Sequence, residues 1–263
     1  HLRAVTTEAC RRASNSYDLL NRAKSELNLE LEVITSHEEA NLAISGCANM
    51  FQRNIPYVIA FDIGGGSTEV MWVKLKEGTP NFEVIDLISL PFGVVTLSDQ
   101  FGSFATSPQI YTQIREKVAH DLDAFAARNN IQRFMEKKQV QMVGTSGTVT
   151  TLAAIHLKLQ RYARYMIDGI YLRMENIRDI TQYVLNMPVK QRNLHPSIGV
   201  GRSDLVITGS AILEGICDTF EVPYIRVADR GVREGILMGL IQGVLKEKED
   251  LKTLNKQPSQ TSE

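Results

Sequence analysis

Apolar and polar positions divide the chain into a series of predicted strands and helices. Residues 56–63 (PYVIAFDI) form a nearly continuous apolar run, which is typical of a strand buried on both faces. Residues 69–75 and 82–90 are two further apolar runs on either side of KEGTPN, and this arrangement predicts a β-hairpin. Nearer the N-terminus, residues 2–6 predict a short strand, and residues 29–35 (LELEVIT) alternate apolar and polar side chains as a half-exposed strand does.

Helical spacing of apolar residues marks the segments between these strands. Residues 7–27 predict a helix with an interruption at Asn15 and Ser16. The next helix is predicted to begin at Ser36, with Glu39 completing a capping box. Further predicted elements are a helix beginning at Ser107–Pro108, a strand, glycine-rich turn and helix over 140–157, helices over 175–187, 202–220 and 231–249, and a strand over 224–229.

This order of strands and helices predicts a mixed α/β fold. Polar residues and a proline interrupt the apolar pattern at 52–56, just before the buried strand, so we expect a domain junction there. The resulting division assigns residues 1–53 to a first domain and residues 54–250 to a second. Residues 251–263, with NKQPSQTSE at their end, are expected to form a disordered tail because they are almost entirely polar.

Composition and charge narrow the class of protein. The formal net charge of −1 over 263 residues gives no electrostatic footprint for nucleic acid or a membrane surface. Cys10, Cys47 and Cys217 are odd in number and far apart, which indicates reduced thiols rather than disulfides. No apolar run approaches the roughly 18 residues that span a bilayer, and the start has no signal-peptide pattern. We therefore expect a cytoplasmic protein with neither a nucleic-acid nor a membrane partner.

The segment DIGGGSTE at the end of the buried strand carries the candidate chemistry. Bulky and β-branched residues follow it and continue as a strand, so the glycines form a turn between antiparallel strands rather than the start of a dinucleotide-binding helix. Glycines there allow positive φ and let backbone amides approach an anion. Asp62 would repel phosphate unless it holds a hard cation such as Mg²⁺, to which Glu69 can return across the turn. The alternative is a glycine-rich hairpin turn without a ligand.

Five stretches together resemble the exopolyphosphatase / guanosine pentaphosphate phosphohydrolase (Ppx/GppA) family. They are TTEACRRA (6–13), ITSHEEA (34–40), AFDIGGGSTEV (60–70), VGTSGTVTTLAA (143–154) and RVADRGVREGIL (226–237), in the family's order over nearly the whole chain. The resemblance implies an actin-like (ASKHA, ribonuclease H-like) domain, with a mixed sheet flanked by helices, preceded by part of a first actin-like domain. Since no histidine–aspartate phosphohydrolase module is recognisable, the short two-domain subtype fits best.

The same resemblance implies roles for individual residues. Glu39 matches the glutamate that activates the attacking water, and Asp62 and Glu69 match acids associated with Mg²⁺ or another divalent cation. Glu39 has a competing interpretation as a partner in the capping box, and Glu38 is a neighbouring candidate for the base. Arg11 matches a family arginine that would neutralise a polyanionic substrate, with a solvated helix face as the alternative.

Two turns rich in glycine and hydroxyl groups match phosphate loops of the family. The second turn leads into a helix whose N-terminal amides can bind an anion, and an ordinary N-cap by Thr148 is the alternative. Arg202, Asp229 and Arg230 are weaker candidates. The predicted phosphate-binding residues, besides Arg11, are Gly64, Gly65, Gly66, Ser67, Thr68, Gly144, Ser146, Gly147 and Thr148.

The chain departs from the family pattern in two places. Asn41 stands where the family commonly has an arginine, which removes a phosphate contact and bears on chain-length preference. The sequence begins at His1, and no counterpart of the family's opening strand and first phosphate loop precedes LRAVTTEAC. We therefore expect the chain as given to be weakly active or inactive, because one side of the phosphate clamp is absent.

The leading functional prediction is a hydrolase that releases terminal orthophosphate from inorganic polyphosphate or from guanosine pentaphosphate, a signal of the stringent response. Both substrates are linear phosphoanhydrides, so one site could serve either. A kinase of the same superfamily and a non-catalytic module that binds a nucleotide or alarmone are the alternatives. The closing helix could pack within the molecule or form a homodimer through Ile236, Leu237, Leu240, Ile241 and Val244.

Overall fold

The computed structural model describes residues 1–199 and 201–254. Strands and helices alternate along this part of the chain, as predicted. The strands are β1 (Ala4–Thr6), β2 (Leu31–Val33), β3 (Tyr57–Ile63), β4 (Thr68–Leu75), β5 (Phe82–Leu90), β6 (Val140–Thr145), β7 (Tyr171–Arg173) and β8 (Tyr224–Ala228). The helices are α1 (Glu8–Arg12), α2 (Ser16–Leu27), α3 (Ser36–Cys47), α4 (Val94–Phe101), α5 (Pro108–Arg128), α6 (Ile131–Glu136), α7 (Gly147–His156), α8 (Arg164–Ile167), α9 (Met174–Asn186), α10 (Val189–Leu194), α11 (Ser203–Thr219) and α12 (Val232–Leu254).

The strands form a small sheet and a large one. β1 and β2 pair in parallel as a two-stranded sheet. The large sheet has the order β5-β4-β3-β6-β8-β7, in which β3, β6 and β8 run parallel and the other neighbouring pairs are antiparallel. This topology confirms the predicted mixed α/β sheet.

The glycine turn joins β3 to β4 as an antiparallel hairpin, as the sequence predicts. The register pairs Asp62 with Glu69, so their side chains leave the sheet on the same face. None of the glycines at 64–66 has a positive φ. The prediction that they provide left-handed backbone is therefore wrong. A Cβ would instead be crowded, most severely at Gly66, where it would lie 2.7 Å from Glu8 Cγ.

The carboxyl ends of the three parallel strands meet at one edge of the large sheet. β3 ends at the glycine turn, β6 leads directly into α7, and β8 leads into α12. Open α/β sheets bind ligands at this edge, because the loops that leave parallel strands gather there. The fold thus brings the turns around residues 64–69, 144–148 and 228–231 to the same end of the molecule.

Helices cover both faces of the large sheet. On one face, Trp72 and other large apolar side chains form a core with α5, α7, α9 and α11. On the other face, Ile44 of α3 shares a buried cluster with Met71 of β4. α3 also crosses α12 so closely that a Cβ on Gly235 would lie 2.0 Å from the Leu42 carbonyl oxygen. Packing therefore anchors α3 both to the sheet and to the closing helix.

The start of α3 differs from the prediction by one residue. Thr35 is the N-cap, with extended backbone (ψ 159°), and its hydroxyl accepts a hydrogen bond of 3.1 Å from the Glu38 amide. Ser36 already belongs to the helix, so the predicted capping box between Ser36 and Glu39 is wrong. The Glu39 carboxylate is consequently available for another role. The predicted interruption in the preceding helix is confirmed by the break between α1 and α2.

Several short elements have no clear signature in the sequence. They are α4, α6, α8, α10 and β7, of which all but α4 have six residues or fewer. α12 runs to Leu254, so the predicted tail boundary at residue 251 is wrong, and residues 255–263 lie outside the described residues. The division into domains at residues 53–54 stays a prediction. No helix in the described ranges is long and apolar enough to cross a bilayer.

Candidate active site

Two carboxylates face each other where the buried strand meets the glycine turn. Asp62 near the end of β3 is paired with Glu69 of β4. Glu69 is 2% exposed, and Ser89 Oγ donates a hydrogen bond of 2.9 Å to its Oε1. Burial, together with the charges of Glu69 and Glu39, raises the pKa of Asp62 to about 7. Burial also raises the pKa of Glu69, although hydrogen bonds from Ser67 and Ser89 oppose the shift.

Glu39 reaches this carboxylate pair from α3. Its charge contributes to the raised pKa of both Asp62 and Glu69, so the three groups share one electrostatic environment. Glu39 Oε2 lies 2.9 Å from Arg11 Nη1 in an ion pair. That buried oxygen nevertheless accepts no aligned hydrogen bond from the described part of the chain. Arg11 therefore compensates the charge of Glu39, although the two groups are not aligned for a good hydrogen bond at Oε2.

Glu38, the neighbouring candidate, lies in a different environment. Its carboxylate forms an ion pair with Arg3, which also pairs with Glu32. The Glu38 side chain is 42% exposed, compared with 15% for Glu39. The structure therefore separates two adjacent glutamates that the sequence could not separate, and it brings only Glu39 to the carboxylate pair.

Arg11 is held by protein groups on several sides. Its Nε and Nη2 donate to Glu8 Oε2 at 3.1 and 2.9 Å, and its Nη1 donates to the Ile34 carbonyl at 2.8 Å. Burial lowers the pKa of Arg11, but the contacts with Glu39 and Glu8 outweigh it and raise the value. The side chain is largely buried, so the alternative of a solvated helix face is wrong.

The glycine turn is fastened to the start of α4. The carbonyl of Gly64 accepts from the Val94 amide at 3.0 Å, and the carbonyl of Gly65 accepts from the Val95 amide at 2.9 Å. A Cβ on Gly93 would lie 2.3 Å from the Gly64 carbonyl oxygen, so the two backbone segments could not approach with any other residue there. α4 thereby holds the turn from outside the motif that the sequence analysis identified.

The last part of the turn faces the N-terminal segment of the chain. A Cβ on Gly66 would lie 2.7 Å from Glu8 Cγ, which places Glu8 directly over the turn. Ser67 and Thr68 are buried, and Thr68 Oγ1 donates to the Phe92 carbonyl at 3.0 Å. The Thr68 hydroxyl is therefore committed to the protein rather than directed toward a ligand.

The second predicted phosphate loop lies between β6 and α7. Ser146 Oγ accepts a hydrogen bond of 3.0 Å from a backbone amide of α7, so Ser146 rather than Thr148 is the N-cap. Gly147 is exposed at the first helical position. Gly144 is buried within β6, where a Cβ would lie 2.3 Å from the Phe61 ring. Gly144 is thus a packing position, and Gly147 is the glycine that is open to a ligand.

Two adjoining cavities lie at this edge of the sheet. The first, of about 280 Å³, is bordered by both turns through Gly64, Gly65, Gly147 and Thr148. The second, of about 470 Å³, extends from the start of α7 to the loop before α12. Arg202 lines both cavities, so a residue that the sequence ranked low occupies a central position.

Asp229 and Arg230 line the second cavity but already have protein partners. Arg230 Nε donates to Asp168 Oδ2 at 2.8 Å, and the Tyr162 hydroxyl donates to Asp229. Arg202 differs, because among residues 1–199 and 201–246 no carboxylate lies within ion-pair distance of it. Of these three weaker candidates, Arg202 is the one whose charge is available to a ligand.

The sequence predicts that Asp62 and Glu69 hold a divalent cation. No group of three or more His, Cys, Asp or Glu side chains in the described ranges is arranged to bind a metal ion. Burial raises the pKa of both carboxylates, and the negative charge of Glu39 adds to the shift in each. Mg²⁺ is commonly bound by one or two carboxylates, waters and substrate phosphates. The residues present therefore fit a cation that is completed by its substrate and by water.

Three residues that the sequence analysis missed support this site. Glu8 contacts Arg11, Ser89 contacts Glu69, and Gly93 admits the close approach of the glycine turn. Glu8 lies inside the stretch TTEACRRA that carries the family resemblance, and its spacing of three from Arg11 on a helix is a signal that could have identified it. Ser89 and Gly93 belong to no motif and become visible only in the folded chain.

Solved structures share this architecture. The Aquifex aeolicus member of the Ppx/GppA protein family is 29% identical, with a TM-score of 0.72 over 93% of this chain and 74% of that one. An exopolyphosphatase from Cytophaga hutchinsonii, 24% identical, superimposes with a TM-score of 0.79 over 92% of this chain and 75% of that one, which shows the fold alone. The fold and the glycine turn at its edge place the chain among the actin-like proteins, as predicted.

The particular family follows from the sequence match. Residues 1–243 match the Ppx/GppA phosphatase family, and the chain therefore belongs to it. A curated relative, the bifunctional 3-dehydroquinate synthase/phosphatase of Fusobacterium nucleatum, is 25% identical over 243 residues, which cover 90% of this chain and 34% of the relative. The chain thus spans about a third of the length of that relative.

Proposed function

We propose that the protein is a phosphoanhydride hydrolase that releases terminal orthophosphate from inorganic polyphosphate, guanosine pentaphosphate or both. Membership of the Ppx/GppA phosphatase family supports this class of reaction. The phosphatase activity named for the curated relative supports it as well. Both candidate substrates present a terminal phosphoryl group on a linear anhydride, so a single arrangement of base and charge can act on either.

The observation that carries the proposal is the buried Oε2 of Glu39, which is ion-paired with Arg11 but accepts no aligned hydrogen bond in the described part of the chain, beside two further carboxylates. A general base must accept a hydrogen bond from the water that it activates. Glu39 Oε2 has no aligned donor in the described part of the chain and is held in place by Arg11. In the proposed reaction, water attacks the terminal phosphorus, its proton passes to Glu39 Oε2, and the shortened phosphate chain leaves.

Asp62 and Glu69 are assigned to a divalent cation, most simply Mg²⁺. When bound, this ion supplies positive charge to the phosphoryl oxygens. The β3–β4 register holds both carboxylates at a fixed separation on one face of the hairpin. Ser89 further restrains Glu69, so the two oxygen donors are positioned before a substrate arrives.

The phosphate chain is assigned to the two adjoining cavities. Gly64 and Gly65 border the first cavity, and Gly147 at the N-terminus of α7 borders both, where helix amides favour an anion. Arg202 also borders both and supplies a cation. A linear polyanion could extend from the glycine turn along α7 into the second cavity and stay in contact with the backbone amides and with Arg202 along its length.

The test is phosphate release by the full-length protein with Mg²⁺, comparing the wild type with Glu39→Gln and the matched Glu38→Gln variant. We expect Glu39→Gln to lower kcat by about 10²- to 10⁴-fold, the usual contribution of a general base. KM should change little, because the amide keeps the size of the side chain. Glu38→Gln should retain wild-type kcat, since Glu38 pairs with Arg3 on the surface. Full activity of Glu39→Gln, with both proteins folded, would exclude the assignment.

The same assay separates the alternative functions. Tripolyphosphate, long-chain polyphosphate, guanosine pentaphosphate and ATP are supplied in turn, and released orthophosphate is measured. A kinase would release little phosphate to water and would require an acceptor molecule. A binding module would bind one of these compounds without turnover in any of them.

A further inference from the structure

Glu8 places a negative charge over the turn to which the proposed function assigns phosphate. Its Cγ lies 2.7 Å from the position of a Cβ on Gly66, so the side chain rests on the turn itself. The Glu8 side chain is only 20% exposed. A carboxylate in this position disfavours an anionic ligand unless it moves or is neutralised.

The partner of Glu8 explains how it is held there. Arg11 donates two hydrogen bonds to Glu8 Oε2, through Nε at 3.1 Å and Nη2 at 2.9 Å. A guanidinium has five N–H donors in a planar fork, which suits a phosphate as well as a carboxylate. Glu8 therefore occupies the part of the Arg11 fork that a phosphoryl group would use.

The surrounding charges make this exchange favourable only for certain ligands. Arg11 pairs with both Glu8 and Glu39, and the charge of Glu39 also acts on Asp62 and Glu69. A second arginine, Arg12, approaches Glu8 Oε1 only at 3.9 Å and has a largely exposed side chain. A ligand that takes over the Arg11 fork must replace the ion pair with Glu8 and face the remaining carboxylates. A chain of several phosphates with its cation offers more contacts for this purpose than orthophosphate does.

We propose that Glu8 is a specificity-determining residue that holds the Arg11 fork in the ligand-free protein and is displaced from it by a phosphoryl group of the substrate. The inference rests on the proposed function at the same site. Its consequence is selectivity: Glu8 weakens the binding of every phosphate ligand, and ligands with few phosphates cannot compensate. Orthophosphate, the product, is thereby kept from occupying the turn.

The test is the kinetics of Glu8→Gln with tripolyphosphate and Mg²⁺. KM should fall roughly tenfold, because Arg11 can then donate about one more charge-assisted hydrogen bond to the substrate, and such a bond contributes about that factor to binding. The value of kcat should stay within about twofold, since the contact of Arg11 with Glu39 remains. Inhibition by orthophosphate should become stronger. If Glu8 acted only by positioning Glu39, the Glu8→Gln variant would instead have a lower kcat and an unchanged KM. That result, or no change in either constant, would overturn the proposal.

Two further variants guard against an indirect effect. Glu8→Asp keeps the charge but shortens the reach to Arg11, so it should lower KM in the same direction by a smaller factor. In the double variant Glu8→Gln/Arg11→Gln the decrease in KM should disappear, because the guanidinium that Glu8→Gln makes available to the substrate is no longer present. Glu26→Gln is the matched control: it removes a carboxylate that pairs with Arg22 on the surface of α2 and should change neither constant.

A binding measurement keeps this inference distinct from the proposed function. Calorimetric titration with tripolyphosphate needs no turnover. Tighter binding by Glu8→Gln than by the wild type supports the role of Glu8 even if no substrate is hydrolysed, in which case only the proposed function fails. Equal or weaker binding by Glu8→Gln overturns the role of Glu8 and leaves the hydrolase proposal to the Glu39 experiment.

Discussion

The two sides of the candidate site are built by different means. On the side of the large sheet, Asp62 and Glu69 are placed by hydrogen-bonded strands that have a buried apolar cluster on each face. On the N-terminal side, Glu8, Arg11 and Glu39 are connected mainly by charge contacts between side chains. Packed backbone resists displacement, whereas a charged ligand can replace an ion pair. The comparison predicts that the ion-paired half, rather than the packed half, is the one that a bound ligand would rearrange.

The largest expected effect comes from disturbing the packed half at Gly93. A Cβ there would lie 2.3 Å from the Gly64 carbonyl oxygen and 2.6 Å from the Gly65 carbonyl carbon. Because both are backbone atoms of the turn, we expect Gly93→Ala to lower the free energy of unfolding by about 3 kcal/mol, a typical cost of overpacking. Urea denaturation followed by circular dichroism measures this change.

Gly239→Ala is the matched control for Gly93→Ala. No atom lies within 4 Å of a Cβ at this exposed position of α12. The substitution should raise the free energy of unfolding by about 0.5 kcal/mol, because alanine has the higher helix propensity. Equal stability of Gly93→Ala and the wild type would mean that α4 does not fix the turn, and the contrast between the two halves would be lost.

Removing the partly buried charge of Asp62 should have the next largest effect on stability, and the size of the effect depends on pH. The folded protein holds this proton up to about pH 7, whereas an unfolded aspartate loses it near 3.8. Stability therefore falls as the pH rises from 4 to 7 and stays lowered above that. We expect Asp62→Asn to be more stable than the wild type by about 2 kcal/mol at pH 8 in a chelating buffer, and equal to it at pH 4.

Thermal melts at a series of pH values check this prediction and also examine the cation. Added Mg²⁺ should raise the melting temperature of the wild type at pH 8, because it stabilises the ionised pair of Asp62 and Glu69. It should raise that of Asp62→Asn much less. A stability difference between the two proteins that does not change with pH would show that Asp62 does not titrate as described.

The sequence predicts the sheet side of the candidate site better than the N-terminal side. Asp62 and Glu69 flank a turn between two strands, and the period of a strand places them opposite each other without further information. The pair of Arg11 and Glu39 joins a short helix to another helix across β2, so it depends on packing that no local pattern describes. The predicted capping box was wrong because Thr35 and Ser36 are both favourable N-cap residues, and only the backbone conformation shows which of them precedes the helix.

The glycines illustrate the same limit. The sequence predicts that glycine is needed in the turn because it can adopt positive φ, which is a property of the residue alone. In the folded chain the purpose of Gly66 is the space taken by Glu8, and that of Gly93 is the space taken by the turn. A contact with a distant segment, such as the close approach at Gly93 or the hydrogen bond of Ser89, leaves no trace in the local sequence, and for this reason these two residues were missed.

Ser89→Ala should weaken the packed half by about 1 kcal/mol at pH 8, because a hydrogen bond to a buried carboxylate is lost. Ser89 Oγ donates to Glu69 Oε1 at 2.9 Å and lowers the pKa of Glu69 against the effect of burial. The loss should diminish as the pH falls and Glu69 becomes protonated. Ser45→Ala removes a hydroxyl that donates to the Asn41 carbonyl of its own helix and should cost less at every pH. A pH-independent loss in Ser89→Ala would indicate a packing effect instead.

The smallest effect is expected at the surface of the ion-paired half. Arg3 pairs with Glu32 at 2.8 Å and with Glu38, and all three side chains are partly or largely exposed. Arg3→Gln should therefore lower the free energy of unfolding by only about 0.5 kcal/mol, and 0.5 M salt should remove about all of that difference by screening. Urea denaturation at low and high salt measures both values. A loss of several kcal/mol that persists in salt would mean that the N-terminal half is as rigid as the sheet, which would argue against the displacement of Glu8 by a ligand.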